Sequence, residues 1–320
     1  MGTTGQFDHL SRGRLLRVTA ALLMFGVAAN ARALEAIKPE GSTLIWLSSG
    51  VGDSTRSATT DLPGYDADSD NLRVGIERTL TDTFTGGVSI GRSRYNVDTT
   101  GREQDESKAN ELQVLGWRSL GDYRVSGSVA IRDHQTDQAR IFLFARGDLS
   151  RRLVLDAKID AQEWIFNVTA SRDFEIGDSS FLSPELSLSH IRVSTDDFVE
   201  TSSGLAGIKV RTADQNQWLA GASVSGRTVW PVGDWALSVG GVIGVEWLVD
   251  ADRSRSASTV VGSRYAFAAE GYDQAKTGIF IGASLSARLL GGAGASVGIM
   301  HDRRDGFRNT SLSLEIEYEL

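Results

Sequence analysis

Three histidines beyond the first 33 residues, His134, His190 and His301, are the side chains best suited to acid–base or metal chemistry near neutral pH. His134 stands beside Asp133 and Asp137; His301 precedes Asp302 and Asp305. A hydrolase needs a nucleophile within hydrogen-bond reach of a base that a third group orients. If strands carry these residues, alternation sends His134 to one face and His190 and His301 to the other, so no triad assembles. His301-Asp302 with Asp305 lacks the ligand number and spacing of a zinc site. Asp66, Asp68 and Asp70 have the i, i+2, i+4 spacing of a calcium loop, but Asn71 occupies the sixth position, where the sharp turn requires Gly. They read as a solvated acidic loop. Gly291-Gly292-Ala293-Gly294 joins two strands, not a strand to a helix, and so reads as a turn rather than a phosphate loop. The chain is therefore expected to have no catalytic residue, no metal site and no cofactor. A rim position for His134 predicts a solvated ring.

The elements that must position these residues are strands. From Trp218 to Trp230 every second residue is apolar or small, and Trp235 to Trp247 repeats the pattern. Side chains alternate faces along a strand, so each run has one apolar and one polar face. Folding the pair about Val232-Gly233 sets Trp230 opposite Trp235 and Trp218 opposite Trp247. Twelve residues at about 3.4 Å each, tilted by about 40°, rise roughly 30 Å, the height of the apolar band of a membrane barrel. Trp218, Trp230, Trp235 and Trp247 then form parts of two aromatic girdles.

Of 320 residues 35 are Gly, four are Pro and none is Cys, and mean hydropathy is −0.16. No run of eighteen apolar residues exists, so a transmembrane helix is not expected. A barrel escapes bulk hydropathy because lumen-facing residues dilute the lipid-facing ones. Arg12, Arg14 and Arg17, the apolar stretch 18–29 and Ala31-Arg32-Ala33 have the three parts of a secretory leader, which predicts a signal peptide over 1–33. Residues 34–41 then form a short lead-in and 42–320 the barrel. The leader carries four Arg and one Asp, so losing this +3 takes the chain from −8 to about −11. That acidity argues against nucleic acid as a partner.

The remaining sequence reads as strand, connection, strand. Tight Gly/Asp turns fall near 81, 121, 178, 233 and 292, and longer polar loops between them, including Val51 to Asp68, Asp98 to Glu106, Asp196 to Asp214 and Ala251 to Asp273. Residues 133–158 are ambiguous between an extension of the fifth strand and an extra hairpin. The count is twelve, giving an all-β, closed antiparallel transmembrane barrel of meander topology with both termini periplasmic. In lipid an open sheet edge leaves unpaired backbone groups, so closure is required. Arg73, Glu77, Arg124, Arg132, Arg227, Glu246, Arg288, Glu315 and Glu317 all take lumen parity.

Gly64-Tyr65-Asp66-Ala67-Asp68, Asn71 to Ile76 and Thr85 to Gly91, in that order, resemble early segments of the translocator β-barrel domain of bacterial autotransporters. Asp197-Phe198-Val199-Glu200-Thr201 is similar to a family segment after the seventh strand, and Leu285 to Leu289 to the penultimate hairpin. The resemblance implies a twelve-stranded outer-membrane barrel whose pore accommodates a linker helix and an exported passenger. It also implies a terminal assembly signal, here Leu314, Ile316, Tyr318 and Leu320, with Leu320 where the family usually ends in Phe.

The expected function is translocation or surface display by a barrel without its own passenger, since only 34–41 separate leader from strand. A passive pore with interacting external loops is the alternative, and an outer-leaflet hydrolase using His134 the remote third. The expected partners are the lipid bilayer of the outer membrane, the barrel assembly machinery and a separately encoded passenger.

Overall fold

The computed structural model describes residues 41–57, 64–99, 103–146, 149–202, 205–252, 255–261, 266–270, 276–289 and 292–320. The leader at 1–33 and most of the lead-in lie outside these residues. Twelve long strands build the wall: β1 (Thr43–Arg56), β2 (Tyr65–Thr81), β3 (Phe84–Asp98), β4 (Glu103–Leu120), β5 (Tyr123–Arg146), β6 (Leu149–Arg172), β8 (Ser180–Thr195), β11 (Gln215–Val232), β12 (Trp235–Ala251), β15 (Thr277–Leu289), β16 (Ala293–Arg304) and β17 (Phe307–Glu319). Each pairs antiparallel with its neighbours in chain order. β17 returns to β1, from Leu44↔Glu319 to Arg56↔Phe307, and closes the cylinder. The start of β1 and the end of β17 thus share one end with the turns at 82–83, 121–122 and 233–234, hereafter the turn end.

Five shorter strands complete the sheet: β7 (Phe174–Glu175), β9 (Phe198–Ser202), β10 (Leu205–Thr212), β13 (Arg255–Val260) and β14 (Ala266–Glu270). β7 extends the turn between β6 and β8. The others pair in the order β9–β10–β13–β14, and Thr201 of β9 bridges to Asp156 of β6. They form a canopy on the end opposite the turns. Two segments expected as plain loops, Asp196 to Asp214 and Ala251 to Asp273, therefore contain strands. Their alternation runs for only five to eight residues, too short to stand out among polar neighbours.

Three further expectations change. The ambiguous 133–158 region forms no extra hairpin: β5 and β6 pair without a break from Tyr123↔Arg172 to Arg146↔Leu149, making 24-residue strands. The segment Val51 to Asp68 is largely strand, and Asp66, Asp68 and Asp70 lie on β2, whose extended backbone cannot wrap a calcium ion. Finally, the connections at the canopy end are not all long, because Asp305-Gly306 is a two-residue turn with Gly306 at φ +69°.

The tryptophan hairpin has a different register. Its turn is Gly233-Asp234, with Gly233 at φ +60°, so Val232 faces Trp235 and Trp230 faces Leu237. A two-residue turn fixes the pairing, and placing it one residue later shifts every partner by two. Trp247 faces Ala220, and a bulge beside Leu219 puts Trp218 opposite Asp250. The paired tryptophans are therefore diagonal neighbours.

Alternation sorts the two faces. Val74, Ile90, Val114, Leu186, Ile243, Ile281 and Leu314 are all exposed on the outer surface. Side chains inside the cylinder include buried Trp46, Tyr95, Ile165, Ile191 and Leu219. An apolar outside around a partly polar inside inverts a soluble fold and suits a cylinder set in lipid.

Candidate functional site

The inner wall carries a charged row that follows one hydrogen-bonded line across the sheet. Arg73, Gly91, Glu111, Arg132 and Glu163 are successive register partners on β2, β3, β4, β5 and β6. Arg73 Nη2 donates to Glu111 Oε2 at 3.1 Å, and its Nε lies 3.0 Å from Oε1. Arg132 donates to Glu111 through Nε and to Glu163 Oε2 through Nη1, the latter at 3.1 Å. Arg132 is 3% and Glu163 0% exposed. Ile165, Ile191, Val193, Leu219 and Ala130 pack into one apolar cluster beside the row, which keeps water from the ion pairs and strengthens them.

Gly91 makes the first bridge geometrically feasible. A Cβ there would lie 2.8 Å from Arg73 Cγ, so the vacancy lets Arg73 lie across β3 to reach Glu111. The same device recurs twice. Glu246, Gly278 and Arg304 are register partners on β12, β15 and β16, and Arg304 reaches Glu246 over Gly278. Arg288, Gly294 and Glu317 repeat it on β15, β16 and β17, with Arg288 Nε 3.6 Å from Glu317 and Nη2 2.7 Å from Glu319. Rings do likewise: Trp46 lies over Gly75, and Phe280 over Gly244. Large side chains therefore lie along the wall instead of into the lumen.

This arrangement predicts that Gly278→Leu displaces Arg304, since a Cβ at 278 meets Arg304 Cγ at 2.9 Å. The loss should be about 1–3 kcal/mol in urea unfolding of the micelle-refolded barrel. An unchanged midpoint would show that the glycine gap is not needed.

The other predicted lumen residues fall as follows. Glu77 is 4% exposed on β2. Arg124 sits 5.0 Å from the Trp117 ring centroid and Arg227 5.3 Å from that of Phe181, both near the turn end. Glu315 is half-buried on β17, opposite Ser48 and Ser296. Trp218, Trp230, Trp235 and Trp247 are 41%, 47%, 46% and 42% exposed on the outer surface. Leu314, Ile316, Tyr318 and Leu320 are exposed along one face of the β17 end of the chain.

The histidines occupy three separate places. His134 is 1% exposed inside the barrel, a correction to the solvated ring expected for a rim position, because β5 continues 12 residues beyond it and sheet surrounds it. Its Nε2 is 3.4 Å from Glu163 Oε2, and among the described residues neither ring nitrogen has a hydrogen-bond partner. His190 stacks between Phe166 and Trp218 on the outside, its centroid 4.4 Å from the Trp218 ring. His301 meets Thr310 Oγ1 at 3.0 Å, also outside. Among the described residues no group of three or more His, Asp or Glu side chains could hold a metal ion.

Sequence reasoning missed Glu111, Glu163, Trp117 and Phe181 on the inner face. β4 concealed its share, because Leu115 and Trp117 break the alternation there. It also missed Glu200, which is 2% exposed and pairs with Arg140, while Phe198 packs on Ala157 and Val210. The Phe198-Val199-Glu200 segment is thus an inward-facing canopy strand.

The profile of the Autotransporter beta-domain family matches residues 45–299. The chain belongs to the autotransporter β-domain family. Its barrel superposes on the translocator domain of the autotransporter NalP from Neisseria meningitidis with a TM-score of 0.72 and 14% identity, over 94% of this chain and 95% of that one. The β-domain of the Bordetella autotransporter BrkA gives 0.61 and 15% identity, over 87% and 99%. Outer membrane protein B of Rickettsia japonica is 21% identical over 237 residues, 70% of this chain and 14% of that protein. The Rickettsia rickettsii protein of the same name is 22% identical over 197 residues, 58% and 12%. The matched stretch amounts to only 12% and 14% of the length of those two relatives. This autotransporter β-domain is an outer-membrane translocator barrel with closed twelve-strand architecture.

Proposed function

We propose that this β-domain carries a passenger polypeptide to the cell surface, with the turn end and both chain ends in the periplasm and the canopy outside. The supporting observation is the inner wall of β12 to β17. Gly240, Gly282, Ser284, Ser286, Ser296, Gly298, Ser311 and Ser313 face inward there, and the neighbouring charges are bridged along the wall. A wall of small side chains leaves width for a polypeptide segment, and internally neutralised charges do not hold it. In this reading the passenger is supplied from outside residues 42–320, as a separately encoded chain or a joined one, after a leader over 1–33 is removed. The outward Leu314, Ile316, Tyr318 and Leu320 engage the assembly machinery, and the four tryptophans anchor at the bilayer surfaces. The barrel itself acts without catalysis.

Bulk added to the smooth wall tests this. Ser284→Trp with Ser313→Trp should cut surface display of an epitope-tagged passenger at least tenfold, while heat-modifiable mobility shows the barrel folded in equal amount. Display supplied in trans and display of a fused passenger are scored separately. Undiminished display in both formats would show that the passenger does not run along this wall, and no display by the wild-type barrel in either format, with steady bilayer conductance instead, would replace the translocator reading by a pore.

A further inference from the structure

Arg303 and Arg308 are register partners on β16 and β17, both exposed and both on the outer face. Like charges directly opposite on a sheet repel each other. On the outer surface Arg94 and Lys108 share Glu106 at 3.2 and 3.0 Å, and Arg192 meets Asp214 at 2.6 Å. Among the described residues neither Arg303 nor Arg308 forms an ion pair, although Asp53 on β1 and Asp305 in the turn lie in the neighbourhood. His301 adds a third nitrogen-bearing group two residues along β16 from Arg303, its Nδ1 at 3.0 Å from Thr310 Oγ1.

Beside this trio and below it the surface is apolar. Ile279 is the register partner of Arg303, Ile281 of His301, and Ile299 of Leu312; these four apolar residues are 50–58% exposed. The two arginines thus stand at the upper edge of the lipid-facing belt, on strands that end within a turn of it at Asp305-Gly306. Guanidinium pairs complement phosphate, which accepts from both at once and relieves their repulsion.

We propose that Arg303, Arg308 and His301 bind the phosphate of a phosphorylated amphiphile of the outer leaflet, whose acyl chains lie on Ile279, Ile281, Ile299 and Leu312. The phosphate bridges the two guanidiniums, and the chains occupy the surface that the belt already offers to lipid. The leaflet assigned rests on the orientation given under Proposed function; the site itself does not.

Native mass spectrometry of the barrel released from the membrane in mild detergent tests the site, with a phosphorylated glycolipid and its dephosphorylated form as probes. The wild-type barrel should retain the phosphorylated probe at least tenfold better. R303Q/R308Q should abolish that difference, R92Q should preserve it, and all should keep heat-modifiable mobility. Equal retention of both probes, or full retention by R303Q/R308Q, overturns the proposal. A maleimide label on D305C in intact cells reads the orientation separately. Arginine-dependent retention without surface labelling supports the site and reassigns its leaflet.

Discussion

Replacing Glu111 by alanine is expected to destabilise the refolded barrel by about 3–5 kcal/mol, as removal of one partner from a buried ion cluster does. Glu111 is 8% exposed and is the shared acceptor of Arg73 and Arg132. Its loss leaves two guanidiniums on the inner wall facing one fewer carboxylate, with Arg132 still bonded to Glu163. The apolar cluster of Ile165, Ile191 and Val193 beside them offers no replacement acceptor. Urea titration of the barrel in detergent micelles measures the effect. Removing Arg73 as well, in Glu111→Ala/Arg73→Met, should recover part of the loss, because part of the penalty belongs to the excess positive charge left on the wall rather than to a missing contact. A single-variant loss below about 1 kcal/mol would mean that water reaches the row.

The second large effect lies on the opposite face. Ile243 on β12 is 61% exposed and lies within the apolar span between Trp235 and Trp247, two residues from its midpoint at Gly241. Ile243→Arg places a guanidinium among acyl chains and should cost about 2–4 kcal/mol, the range for a cation at the midplane of a barrel's lipid face. Val242→Arg, one residue away, points between Ser225 and Gly282 on the inner wall. It should cost far less, because the lumen side can hydrate the charge. The comparison is made in lipid vesicles, where the midplane exists. Equal losses from the two variants would show that outer and inner faces meet the same solvent.

The face of nearly every residue on the well-patterned strands was legible in the sequence, because lipid enforces period two wherever a strand crosses it. Arg73, Arg132, Glu246 and Arg288 could all be placed inside on parity alone. Their partners could not. Parity gives a face but no height, and height follows from register, which depends on turns resolved to one residue. The Gly233-Asp234 turn illustrates the sensitivity: moved by one position, it shifts the tryptophan pairs by two. Arg73 meeting Glu111 across Gly91 needs three strands in register at once, information distributed over two connections. The canopy was hidden for a different reason. β9, β10, β13 and β14 lie beyond the apolar belt, where no lipid forces alternation, and each is at most eight residues long.

The unequal strand lengths have a consequence for how the lumen meets the exterior. β5 and β6 run 24 residues, whereas β16 runs 12 from the same turn end. At about 3.3 Å per residue and a tilt of about 40°, that difference raises one side roughly 30 Å above the other. The cylinder is cut obliquely, like a quill, with its high side backed by the canopy strands and its low lip at Asp305-Gly306. Among the described residues the rim is thus lowest beside β16 and β17, so the mouth opens toward that side instead of straight outward.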